Sequence, residues 1–145
     1  MKPTLSIIVL LLLQTVLFAQ PPSEPDVIPE PEPVYNDSTI FMIVESFPQF
    51  PGGEVELLKY IRNTIKHPGG SGESADTLIV NFIVEKDGNI SNVKLVRAMP
   101  GPDGNIFDAE ALRIVKSMPK WQPGMQNGKP VRVSYNLPIR FEPQR

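Results

Sequence analysis

The stretch Met118–Phe141 reads M-P-K-W-Q-P-G-M-Q-N-G-K-P-V-R-V-S-Y-N-L-P-I-R-F, and its second half decides the fold. Val131, Val133, Tyr135, Leu137, Ile139 and Phe141 alternate with Arg132, Ser134, Asn136, Pro138 and Arg140. An extended chain turns successive side chains to opposite faces, so period two over this length predicts a half-buried strand. Pro138 has no N–H to give to a ladder and predicts that the strand lies at a sheet edge. The chain's one tryptophan, Trp121, sits between this strand and the segment before it, where a packing role in the core is expected.

Outward from the strand, Phe107–Met118 carries Phe107, Ala111, Ile114, Val115 and Met118 at helical spacing, and Pro119 stops it. Asp108 is expected at its start and Lys116 near its end, as the helix dipole favours. Met99–Asn105, M-P-G-P-D-G-N, reads as a loop. Asp76–Glu85, D-T-L-I-V-N-F-I-V-E, is apolar on both faces, which predicts a central strand. Asp87-Gly88 predicts a tight hairpin turn with positive φ at both residues, and Ile90–Arg97 returns with Val93 and Leu95 inward. Glu54–Ile65 predicts a first helix, with Leu58, Ile61 and Ile65 on one face and Leu57 beside it. Ser38–Ser46 is a short apolar run suited to an added strand or a packing segment. The order helix, strand, strand, helix, strand predicts an α+β domain: a small antiparallel three-stranded sheet with two helices on one face. The last strand is expected to pair with Asp76–Glu85 and to leave its outer edge free for another chain.

The 145 residues allow one small domain plus extensions. Residues 1–19 read as a signal peptide: Lys2 precedes the apolar Leu5–Phe18, and Ala19 is small enough for cleavage. That core would reach roughly 21 Å as a helix, against about 30 Å of bilayer hydrocarbon; a short uncleaved anchor is the alternative. Residues 20–38 read as an acidic, proline-rich tether, with six prolines in Gln20–Val34. Residues 39–145 are left for the domain.

The chain has no cysteine, so a disulfide framework, a thiolate metal site and a cysteine nucleophile are excluded. His67 is its one histidine and has no neighbouring carboxylate or thiol set, so no metal and no cofactor are expected. No serine stands in a recognisable nucleophile motif, no glycine pair forms a phosphate loop, and the reading is a non-enzyme. From Pro3 to Leu58 there are eight acidic residues and no basic one, whereas Lys59–Arg145 holds thirteen basic and eight acidic. This is the pattern of an acidic tether beside a mildly basic domain; the basic residues are scattered, and nucleic acid is not an expected partner.

Several segments in this order resemble the C-terminal domain family of the bacterial energy transducer TonB. They are V-N-F-I-V-E-K-D-G-N-I-S-N-V-K-L-V, D-A-E-A-L-R-I-V-K-S-M-P-K-W-Q-P-G, N-G-K-P-V-R-V-S-Y-N-L-P-I-R-F and, upstream, F-P-Q-F-P-G-G-E, together covering about Phe47–Phe141. The resemblance implies a periplasmic module that docks extended TonB-box segments of outer-membrane receptors by strand addition and so supports nutrient transport. It implies a partner-binding edge at Val131, Arg132, Val133, Ser134, Tyr135, Asn136 and Leu137. His67 and Pro68 fall where the family usually has a tyrosine-proline near the bound segment. Inner-membrane motor proteins are implied as partners if the chain is anchored, with inner-membrane localisation facing the periplasm as the alternative. TonB's own membrane helix carries a coupling histidine; no histidine lies in Leu5–Phe18. The second functional reading is a periplasmic scaffold that uses the same fold for homodimerisation or cell-wall contact without energy transduction.

Overall fold

The computed structural model describes residues 31, 33–67 and 76–142. The expected signal segment, the tether as far as residue 30, Pro68 and the glycine-rich stretch after it lie outside the described residues. Tyr35–Arg145 forms one unit, and it holds all the elements that follow.

Among the described residues, five strands and two helices run in the order β1 (Ile40–Phe41), α1 (Glu54–Thr64), β2 (Asp76–Val84), β3 (Ile90–Arg97), α2 (Gly104–Lys116), β4 (Gly124–Gln126) and β5 (Lys129–Phe141). β5 pairs antiparallel with β2 from Asp76↔Phe141 to Val84↔Val133 without a slip. β3 pairs antiparallel on the other side of β2. The expected α+β core is therefore present, with β2 central and β5 beside it. Two short strands enlarge it. β4 forms a hairpin with β5, and β1 lies parallel to β5 at Ile40↔Arg132 and Phe41↔Val133.

The core follows the two periodicities. Leu78, Val80, Phe82 and Val84 of β2 join Leu137, Ile139 and Phe141 of β5 under Leu57 and Ile61 of α1 and Ala111, Ile114 and Val115 of α2. Burying an aliphatic or aromatic side chain of this size contributes about 1.5–3 kcal/mol. Trp121 is buried, as expected, and meets Phe50, Phe82 and Tyr135 edge-on at centroid distances of 5.8, 5.4 and 5.1 Å. A second small cluster, Val44, Val131 and Val133 with Phe41 against it, lies where Ser38–Ser46 meets β5.

The helices are tied side by side and antiparallel. The Tyr60 hydroxyl donates to the Ser117 carbonyl at 2.8 Å, Arg113 Nη2 donates to the Thr64 carbonyl at 2.8 Å, and the Lys66 N–H donates to Glu110 Oε1 at 2.7 Å. Glu54 and Glu56 occupy the first turn of α1, where the helix dipole favours a carboxylate.

Four local expectations are corrected. Leu58 is exposed, because the buried stripe of α1 runs through Leu57 and Ile61. α2 begins at Gly104, three residues before the expected start. A Cβ at Gly104 would lie 2.2 Å from the Met99 carbonyl oxygen, so the missing side chain lets the helix begin against the loop. Asp108 consequently falls outside the first turn and accepts from the Met99 N–H at 2.8 Å, fastening that loop. Between β2 and β3 only Gly88 takes positive φ; the Asp87 carboxylate instead accepts from the Asn89 N–H at 3.0 Å, and the Gly88 N–H donates to the Glu85 carbonyl at 2.9 Å. The connection is thus a turn followed by a left-handed glycine, the three-residue hairpin form.

Candidate functional site

β5 was expected to expose its outer edge, and the structure divides that edge in two. At Arg132 and Val133 the side away from β2 is occupied by β1 of the same chain. From Ser134 to Phe141 only β2 flanks the strand among the described residues. Pro138 lies in this second part, so the proline reading holds locally, while the N-terminal part of β5 is an interior strand.

The candidate edge residues differ in surroundings. Val131, Val133 and Leu137 are buried, and Val131 pairs with Gly124 of β4. Arg132 is half-buried and points toward the β2–β3 turn: its Nε donates to Glu85 Oε2 at 2.7 Å and its Nη2 to Glu85 Oε1 at 3.1 Å. Two parallel N–H···O bonds to one carboxylate are the strong form of this pair. They hold the Glu85 carboxyl below its ordinary value of 4.5, Ser91 assisting, although partial burial opposes. Arg132 Nη1 also donates to the Ser38 carbonyl at 3.3 Å, so one guanidinium joins β5, the residue that follows β2 and the segment leading into β1. Around it Asp37, Glu85, Lys86, Asp87 and Asn89 form an open charged depression of about 470 Å³.

On the same face of the sheet, Asn81 of β2 donates through Nδ2 to Ser134 Oγ at 2.9 Å, to the Tyr135 carbonyl at 3.2 Å and to Asn136 Oδ1 at 2.7 Å. One amide thereby fixes the three residues at the start of the unpaired row. Tyr135 faces inward, where burial, with the negative Glu54 adding to it, pushes its hydroxyl above the ordinary value of 10.0. With Phe47, Pro48, Phe50, Glu54 and Trp121 it lines a cavity of about 380 Å³ at the start of α1. The Trp121 Nε1–H is buried and has no hydrogen-bond acceptor among the described residues.

His67 is exposed beyond the end of α1. Its neighbour Lys66 is held by Glu110 of α2, whereas the start of α1 faces Tyr135. An 11-residue helix is about 16 Å long, so His67 stands roughly that far from Tyr135 along α1. Pro68 lies outside the described residues. Sequence reasoning missed the contribution of Asn81 and of β4; it allowed Ser38–Ser46 an added strand, which β1 supplies, but not its partner. Asn127-Gly128 signals the β4–β5 hairpin, both residues having positive φ as a two-residue turn demands. Nothing in the period of Ser38–Ser46 signals a parallel partner.

No group of three or more His, Cys, Asp or Glu residues suited to a metal occurs among the described residues. No helix among them is long and apolar enough to cross a membrane. Residues 73–143 match the family model described as Gram-negative bacterial TonB protein C-terminal. Residues 73–143 carry a domain of the TonB C-terminal family. No curated protein and no solved structure matches it. The TonB C-terminal family is a non-enzymatic, periplasmic energy-transduction and binding family whose members generally interact with TonB-dependent receptors.

Proposed function

We propose that this TonB-like domain docks an extended segment of an outer-membrane TonB-dependent receptor by adding it as a strand beside β5, in support of nutrient transport. The observation that carries this reading is the row from Ser134 to Phe141, unpartnered among the described residues, on a strand held by nine register pairs with β2. Strand addition draws its grip from main-chain hydrogen bonds and its selectivity from alternate side chains. Pro138 gives no N–H, which favours Ser134–Leu137 as the first strip engaged; Arg132 and Val133 are reachable only where β1 leaves them, and Val131 pairs with β4. Asn81, by fixing Ser134, Tyr135 and Asn136, holds that strip in extended form before the partner arrives. His67 and Pro68 are proposed as outlying contacts of a longer receptor segment. The location proposed is the periplasm, reached by a signal peptide or held from the inner membrane by a short anchor.

The test is titration of the isotopically labelled chain with a receptor TonB-box peptide, followed by NMR. Backbone amides of Ser134–Leu137 are expected to shift together with those of the facing Val80–Ile83. Unchanged amides along β5 at millimolar peptide refute the reading.

A further inference from the structure

We propose that residues 37–46 form a built-in cap on the docking edge, a strap that must lift from β5 before a partner strand can use Arg132 and Val133. This inference rests on the strand-addition reading and adds to it a competitor inside the same chain.

The strap is fastened at both ends and barely paired between them. At its first end Lys86 Nζ binds Asp37 Oδ1, and Arg132 reaches the Ser38 carbonyl. At its second end Val44 packs with Val131 and Val133, the Asn127 N–H donates to Glu45 Oε2 at 3.2 Å, and the Ser46 N–H donates to the Met125 carbonyl at 3.2 Å. Between these anchors only Ile40 and Phe41 join the sheet, although the run I-F-M-I-V is apolar throughout. Met42 and Ile43 are 75% and 82% exposed, so the most strand-prone part of the segment gains little burial in this arrangement. Parallel pairing is slightly weaker per residue than antiparallel, and the Lys86–Asp37 pair is open to water, where such pairs contribute little. The strap thus has the weakest hold of any element on β5, and it covers the very rungs that continue the free row at Ser134.

A cap of this kind lowers apparent affinity by the fraction of molecules that are open, since only those bind. Its being tethered gives it a high effective concentration against any free peptide. The occupant that fits the edge when the strap lifts is an extended, largely apolar segment running parallel to β5, the direction β1 already takes.

The test uses full-length protein in three forms. One is the unaltered chain. The second is an opened variant, Asp37→Lys with Phe41→Asp, which reverses the Lys86 contact and removes the apolar anchor of β1. The third is a locked variant, Ile40→Cys with Arg132→Cys, positions that face each other in register in a chain with no other cysteine. Two labelled peptides are titrated into each: a copy of Asp37–Ser46 and a receptor TonB-box peptide. The opened variant is expected to capture the strap copy about tenfold more tightly than the unaltered chain. The oxidised locked variant is expected to capture it about tenfold more weakly than the same protein after reduction. Equal capture by opened and unaltered chains, or by oxidised and reduced locked protein, overturns the cap. The two ideas separate cleanly. A receptor peptide bound equally by all forms overturns the cap and leaves docking standing. A strap copy captured only by open forms, with no receptor peptide captured by any, upholds the cap and overturns receptor docking.

Discussion

Replacing Gly88 by alanine tests whether the β2–β3 turn and the tryptophan loop are one packed unit. Gly88 has φ +85°, and a Cβ there would lie 2.0 Å from the Trp121 carbonyl oxygen. The contact is reciprocal, because the Trp121 N–H donates to the Gly88 carbonyl at 2.9 Å. Left-handed backbone costs an alanine roughly 1–2 kcal/mol. Parting the two main chains loses a hydrogen bond worth about 1 kcal/mol. Shifting Trp121 weakens edge-on ring contacts worth about 0.5–1.5 kcal/mol each. The expected loss is about 3–5 kcal/mol, a large part of the 5–15 kcal/mol typical of a domain. Gly128→Ala is the control: φ is +70° and nothing lies within 4 Å of its Cβ, so only the backbone term of about 1–2 kcal/mol applies. Urea unfolding monitored by tryptophan fluorescence reads both, with a midpoint drop for Gly88→Ala of roughly 2 M at an ordinary urea slope. Equal midpoints for the two variants refute the claimed approach of Gly88 to Trp121.

Acid is expected to weaken the fold through Glu85 and Glu110. The Arg132 hydrogen bonds lower the first and Arg113 the second, with the Lys66 N–H assisting there. A carboxyl whose folded value is depressed contributes stability that is complete above 4.5 and is lost as pH falls through the folded value; urea midpoints measured down that range should drop, and Glu85→Gln with Glu110→Gln should flatten the drop. Trp121→Ala is expected to cost about 3–5 kcal/mol. Trp121→Phe should cost about half of that, because the indole N–H has no acceptor to lose; thermal melts of both variants check the ratio.

The β2–β5 pairing was legible because burial in each strand obeys its own period, and the register follows once Val80 and Leu137 face the same side. Helix faces were less certain: Leu57 and Leu58 are adjacent and equally apolar, and only the arrival of Phe50 and Trp121 decides which one is covered. The start of α2 was hidden because P-D-G-N carries turn chemistry, and Gly104 is used there for close approach instead. Of the edge, the half at Ser134–Leu137 could be read from alternation and Pro138. The half at Arg132 and Val133 could not, since its neighbour comes from more than 90 residues earlier, and a two-residue parallel contact leaves no period to detect.

The far margin of the sheet behaves differently. β3 has one residue more than β2 opposite it in two places, at Val96 and beside Asn92, whose φ is 49°. Such irregularities bend a strand and spoil its match to a straight newcomer. A segment added beside β5 would therefore meet a far margin whose bulges disfavour a further strand, leaving repeated sheet extension no straight second edge from which to continue.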